Sequence, residues 1–232
     1  MSGFAFSGIG INPNCGTPRN PASMDVARIP GGSSSGSAVA VARSLVPVSI
    51  GTDTGGSVRI LAALNGIVGY KATSGRYPMG GVFPPARSLD SLGPLCRCVA
   101  DAILVDAAML GLAVPNIVRT NGEGQTIVVP TNVVLDGVEP AVLNAFEAVL
   151  EGLAETGVRI ERKEIPAFAR IFELTDRYGP LVSAEAFALH QERLKAEAAA
   201  EIDPRVVAGS GWAAGHPCPT ISRCSRTGTA DR

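Results

Sequence analysis

Two short segments of the chain combine glycine with hydroxyl side chains, and each stands in front of a stretch with helical character. The first reads GGSSSGS over residues 31–37, and the second reads GTDTGGSVR over residues 51–59. At the start of a helix, backbone N–H groups point outward, carry partial positive charge and can hold an anion. The anion is either a phosphate or a negatively charged reaction intermediate, unless the two segments are only structural turns or linkers.

The residue types favour an intermediate over a phosphate. Neither segment has the lysine of a G-x-x-x-x-G-K-[ST] loop or the G-x-G-x-x-G spacing of dinucleotide-binding folds. Ser57 directly follows Gly55 and Gly56, so its hydroxyl and the N–H groups of the turn can face one point. This pattern is typical of a nucleophile beside an oxyanion site. A histidine base is not expected, because His190 falls in a predicted surface helix and His216 in an irregular tail.

The two segments resemble the serine-rich and GTDTGGS motifs of the amidase signature family. The similarity continues through GIVGYKAT at residues 66–73 and SLDSLGP at residues 88–94, and more loosely to about residue 207. The resemblance implies an α/β fold with a mixed central sheet between helix layers. It also implies hydrolysis of a carboxylic amide through a serine acyl-enzyme, with a small-molecule amide as substrate and no cofactor.

The resemblance further implies a Ser-Ser-Lys triad. Ser57 would be the nucleophile, and Ser33 would be the bridging serine, reached through a cis peptide bond from Gly32. Ser34 resembles the neighbouring serine that supports the hydrogen-bond network.

The same resemblance gives the turn around the nucleophile its roles. The oxyanion would be held by four backbone N–H groups, those of Thr54, Gly55, Gly56 and Ser57. Asp53 and Arg59 are expected to brace the turn rather than contact substrate. Arg59 would pair with either Asp53 or Asp90.

The lysine of the triad has no counterpart in this chain. The family carries it upstream of the serine-rich segment, whereas the first lysine here is Lys71, at a position where the family has a non-catalytic lysine. Lys163 and Lys195 lie in the helical second half. We therefore expect a fragment without the lysine-bearing region, an incomplete sheet and doubtful activity. Leu61 also stands where the family usually has proline, which favours the first turn of a helix.

Two other functions remain open. The A subunit of a glutamine-dependent tRNA amidotransferase shares both motifs but works in a complex with tRNA. A non-catalytic remnant of the family would also lack the lysine.

We expect a partial amidase signature domain over residues 1–207 and an irregular tail over residues 208–232. The tail is rich in Gly, Ser, Cys, Arg and Thr and has no periodicity. Codons can be chosen for residues 219–226 so that a shifted frame reads as a helix, and we therefore expect a frameshift here.

Apolar spacing predicts the elements that hold the motifs. The predicted helices cover residues 36–45, 58–64, 99–112, 139–154 and 168–200, the last broken near Gly179 and Pro180. The predicted strands cover residues 46–50, thought to be central, and residues 66–70, 126–129 and 158–165. The last two strands and the helix between them have the length of a parallel crossover.

Composition excludes several classes of protein. The chain has 232 residues, with 20 basic and 21 acidic side chains and a net charge of −1. We therefore expect no overall electrostatic attraction to nucleic acid or to an acidic membrane surface. No apolar run is long enough to cross a membrane, and no signal peptide is evident, so the cytoplasm is expected. The spacing of the five cysteines fits neither zinc nor a disulfide framework.

Overall fold

The computed structural model describes residue 5 and residues 8–118, 121–194 and 202–211. The chain divides into two compact units. The first contains Met1–Ile117 and Gly179–Arg232, and the second contains Val118–Tyr178. Within the described residues, no helix is long and apolar enough to cross a membrane.

Helices and strands alternate through much of the chain. The helices are α1 (Ser35–Ala42), α2 (Arg59–Asn65), α3 (Val99–Met109), α4 (Pro140–Glu155), α5 (Pro166–Tyr178), α6 (Leu181–His190) and α7 (Pro204–Gly211). A short 3-10 helix, Gln191–Leu194, follows α6. The strands are β1 (Val48–Asp53), β2 (Val68–Gly69), β3 (Ser91–Cys96), β4 (Thr126–Pro130) and β5 (Arg159–Lys163). The expected α/β class is confirmed.

The first unit contains an antiparallel sheet in the order β1-β3-β2. Its register sets Val48 opposite Cys96 and Asp53 opposite Ser91, so the carboxyl end of β1 lies beside the start of β3. Strand β3 was not predicted, because Gly93 and Pro94 normally argue against a middle strand. The strand predicted as central, β1, forms an edge of the sheet that the described residues build.

A small apolar core joins α1 and α2 to this sheet. The buried residues of this core are Ala38, Val41, Val58, Leu61, Ala62 and Leu95. Val46 and Ile67, which are partly buried, pack against them. Leu61, at the position where the resemblance led us to expect proline, is fully buried in this core. Helix α2 is therefore anchored on the sheet directly after the predicted nucleophile.

The backbone of β1 approaches the serine-rich segment at Gly51. A Cβ atom at this position would lie 2.8 Å from Ser34 Oγ and 3.1 Å from Val58 Cγ2. Because both neighbours are buried, a larger residue has to push the serine-rich segment away from the strand.

We expect Gly51→Ala to lower the free energy of unfolding by about 1–3 kcal/mol, the usual cost of overpacking a core. Urea unfolding followed by circular dichroism measures this change. Gly36→Ala is the matched control, because a Cβ atom at Gly36 meets nothing within 4 Å and the residue lies in α1. Alanine there is expected to be neutral or stabilising. Equal stability of the two variants would contradict the close approach.

The second unit is a strand-helix-strand crossover. Strands β4 and β5 are parallel, with Thr126 opposite Arg159 and Pro130 opposite Lys163, and α4 connects them. This confirms the crossover predicted from the sequence. The long helix predicted over residues 168–200 is interrupted at Gly179 (φ 85°) and Pro180, where it was expected to break.

The boundary expected at residue 207 falls inside α7, which continues to Gly211. Residues 212–232, which make up most of the expected tail and include the proposed frameshift, lie outside the described residues.

Candidate active site

The two glycine-serine segments lie side by side in the first unit. The serine-rich segment leads into α1, and the second segment connects β1 to α2. The Thr52 N–H donates to Ser34 Oγ at 3.3 Å, and Ser37 Oγ donates to the Ile50 carbonyl at 3.1 Å. Ser34 therefore links the two segments.

Asp53 organises the turn that follows β1. Its fully buried carboxylate accepts hydrogen bonds from the Gly56 N–H at 2.7 Å and the Val58 N–H at 3.2 Å. It also accepts two from the Arg59 guanidinium, each at 3.0 Å. Of the two partners considered for Arg59, the structure thus shows Asp53. Burial alone would raise the pKa of Asp53, but the hydrogen bonds from Arg59, Gly56 and Val58 outweigh it and hold the pKa below its ordinary value.

The N–H groups of the turn divide into two sets. The Gly56 N–H is used by Asp53, so in this conformation it does not point to an oxyanion. The N–H groups of Thr54, Gly55 and Ser57 donate no hydrogen bond to any described residue. Ser57 is only partly buried, and its hydroxyl group makes no hydrogen bond with any described residue. Three of the four expected oxyanion donors are thus available next to the hydroxyl.

Asp90 holds the turn from the other side. Its carboxylate accepts a hydrogen bond from Thr54 Oγ1 at 2.6 Å and another from the Ala86 N–H at 2.9 Å. The residue is 5% exposed, and burial raises its pKa despite these two donors. The sequence suggested Asp90 only as a partner for Arg59. The SLDSLGP motif, which contains Asp90, was the sequence signal that could have pointed to its contact with Thr54.

Ser33 is fully buried. The peptide bond between Gly32 and Ser33 is cis, as expected. Ser33 Oγ has no hydrogen-bond partner among the described residues, so a hydrogen bond to Ser57 is not formed here.

Asn65, at the end of α2, was missed by the sequence analysis. Its buried Nδ2 donates to the Pro30 carbonyl at 2.8 Å and to the Leu61 carbonyl at 2.7 Å. Because α2 begins two residues after Ser57 and its last residue binds the loop before Ser33, one helix fixes both serines. No signal in a single sequence separates such a buried asparagine from an ordinary helix-terminal residue.

No lysine makes a hydrogen bond with Ser33 or Ser57 within the described residues. Lys71 Nζ donates to the Ala72 carbonyl at 2.9 Å, Lys163 lies in β5 of the second unit, and Lys195 is outside the described ranges. No group of three or more His, Cys, Asp or Glu side chains that could hold a metal ion occurs in the part of the chain that the structure describes.

Comparison with known proteins gives a consistent result. The profile of the family described as Amidase matches residues 1–206. The chain is 40% identical over 192 residues to the 2-amino-5-chloromuconic acid deaminase of Comamonas testosteroni, a match that covers 81% of this chain and 41% of the relative. It is also 40% identical over 182 residues to the A subunit of the glutamyl-tRNA(Gln) amidotransferase of Acidothermus cellulolyticus, covering 72% of this chain and 36% of the relative.

Among solved structures, a crystal structure of an amidase superimposes with a TM-score of 0.82 at 33% sequence identity. The match covers 97% of this chain and 50% of that protein. The chain thus spans about two fifths of the length of the curated relatives and half of this solved structure. It belongs to the amidase signature family.

Proposed function

We propose that this chain supplies the nucleophile and the oxyanion site for hydrolysis of a small carboxylic amide through an acyl-enzyme. Ser57 attacks the amide carbonyl, and the N–H groups of Thr54, Gly55 and Ser57 hold the oxyanion. The observation that carries the proposal is the turn anchored by Asp53, which leaves these donors without acceptors beside a free hydroxyl. A single donor of this kind contributes roughly 10²- to 10³-fold in rate.

Ser33 acts in this proposal as the bridging serine that passes the proton from Ser57. This role is supported by the burial of Ser33 and by the lack of a hydrogen-bond partner for its Oγ among the described residues. A buried hydroxyl without a hydrogen bond costs about 1–3 kcal/mol, so a fold keeps one where a further group completes the site. Ser33 Oγ is in that state here.

The further group in this proposal is an amine from a segment that this chain does not contain. A Ser-Ser-Lys triad needs a lysine near Ser33, and within the described residues no lysine makes a hydrogen bond with Ser33 Oγ. The chain alone is therefore proposed to form an acyl-enzyme slowly.

The same proposal assigns residues 1–207 to the amidase domain and residues 208–232 to an irregular tail. The gene sequence tests whether the reading frame is shifted in this tail.

A role as the A subunit of a tRNA amidotransferase is the second candidate. It is favoured by the identity to the Acidothermus protein. This function differs from stand-alone hydrolysis because it depends on a complex with tRNA.

Acylation by an activated ester separates the nucleophile from the base. A p-nitrophenyl ester has a good leaving group and needs less help from a base than an amide does. We expect the chain to gain one acyl group, which peptide mass mapping places on Ser57, and to cleave the matching anilide at no measurable rate. A fusion that adds the residues preceding the match in the Comamonas relative is expected to cleave the anilide.

Acylation elsewhere, or none, would overturn the assignment of Ser57. Rapid anilide cleavage by the chain alone would overturn the claim that the base is supplied from outside. Ammonia release from glutamine that requires the partner subunits and charged tRNA would favour the second candidate.

A further inference from the structure

A cavity of about 430 Å³ adjoins the turn that carries Ser57. It is lined by Met79, Gly81, Val82, Pro84, Arg87 and Asp90. Asp90 connects it to the turn, because its carboxylate accepts the hydrogen bond from Thr54 Oγ1. Thr54 lies three residues before Ser57, so their Cα atoms are at most about 11 Å apart. The cavity is therefore within reach of a substrate held at Ser57.

The two carboxylates near this cavity, Asp90 and Glu185, each accept hydrogen bonds from neighbouring residues. Asp90 accepts hydrogen bonds from Thr54 and from the Ala86 N–H, one to each carboxylate oxygen. Glu185, whose charge acts on Asp90, accepts hydrogen bonds from the Ser88 N–H at 3.0 Å and from Ser88 Oγ. Burial raises the pKa of Asp90, with Glu185 acting in the same direction.

Arg87 is the lining side chain whose polar atoms remain free. Its guanidinium makes no hydrogen bond or ion pair with any described residue, and the side chain is exposed. Met79, Val82 and Pro84 line the cavity with side chains that carry no hydrogen-bonding N–H or O–H group. The cavity thus combines three apolar side chains and the Asp90 carboxylate with one cation that has five N–H donors to offer.

We propose that this cavity binds substrates that carry a carboxylate, with the Arg87 guanidinium holding the carboxylate and the apolar lining holding the carbon chain. Arginine suits this task because its planar fork matches both oxygens of a carboxylate. The inference rests on the proposed function and narrows its substrate class to amides of compact carboxylic acids that bear a second carboxylate.

Two acyl donors of similar size test the inference. Mono-p-nitrophenyl glutarate carries a terminal carboxylate, and p-nitrophenyl valerate does not. We expect the wild-type chain to be acylated about 10- to 100-fold faster by the glutarate ester, the range for a hydrogen bond to a charged group. Arg87→Ala is expected to lose this preference, and Arg87→Lys to retain part of it. Arg43→Ala, an exposed arginine outside the cavity, is the control.

Free glutarate, which cannot acylate a serine, provides a readout that needs no activity. Isothermal titration is expected to detect its binding to the wild-type chain and to Arg43→Ala, and to find it lost in Arg87→Ala. Absence of binding to the wild-type chain, or equal binding by Arg87→Ala, would overturn the inference. Acylation of Ser57 by both esters at equal rates would overturn it while the proposed function stands. If neither ester reacts, the proposed function fails and the glutarate titration still decides the inference.

Discussion

Replacing Ser57 with alanine is expected to abolish covalent reaction with a fluorophosphonate while leaving the fold intact. The probe forms its bond with an activated serine oxygen, and Ser57 is the hydroxyl placed beside three free N–H groups. In the wild-type chain the reaction is expected to be slow, because the proposed base is absent, and to accelerate as pH rises. Intact mass and peptide mapping after long incubation measure both the extent and the position of the label.

The same substitution is expected to change the free energy of unfolding by less than about 0.5 kcal/mol, as is usual for a residue without a special contact. Ser57 is partly buried and makes no hydrogen bond with any described residue, so little is lost with its oxygen. Ser37→Ala is the matched control within the first glycine-serine segment, and it should label like the wild type. A label that persists in Ser57→Ala would remove the basis for assigning Ser57 as the nucleophile.

The local elements of the site could be predicted from sequence because each depends on neighbouring residues. Small apolar residues after the serine cluster predicted α1, and the glycine-broken turn before Val58 predicted the junction between β1 and α2. The first unit places that turn beside the serine-rich segment, as the paired motifs suggested.

The features that were missed depend on residues far apart in the chain. Strand β3 contains Gly93 and Pro94, and its place in the middle of the sheet is set by pairing with β1 rather than by its own propensity. The roles of Asp90 and Asn65 arise from contacts with residues more than 30 positions away. The use of the Gly56 N–H by Asp53 also needed coordinates, since sequence places both groups in the same turn without giving their orientation.

Asp53 is the residue of the turn whose replacement is expected to cost most in stability. Its carboxylate is fully buried and satisfies the N–H groups of Gly56 and Val58. Losing the acceptor for a buried donor costs about 1–3 kcal/mol, so Asp53→Ala is expected to lower the free energy of unfolding by roughly 2–5 kcal/mol. The ion pair with Arg59 adds little, because that side chain is 54% exposed and solvent screens its charge.

The stability that the Asp53 carboxylate contributes is expected to depend on pH, because the pKa of Asp53 is lowered in the folded state. A carboxyl group whose pKa is lower in the folded state stabilises the fold above its unfolded pKa, about 3.9, and the stabilisation is lost as pH falls through the folded value. The stability difference between the wild-type chain and Asp53→Asn should therefore be fully present at pH 7 and shrink below pH 4. Guanidinium unfolding at several pH values measures it, with Asp25→Asn as an exposed control. A difference that grows toward low pH would show that Asp53 is not held as a carboxylate, and the anchor of the oxyanion turn would have to be sought elsewhere.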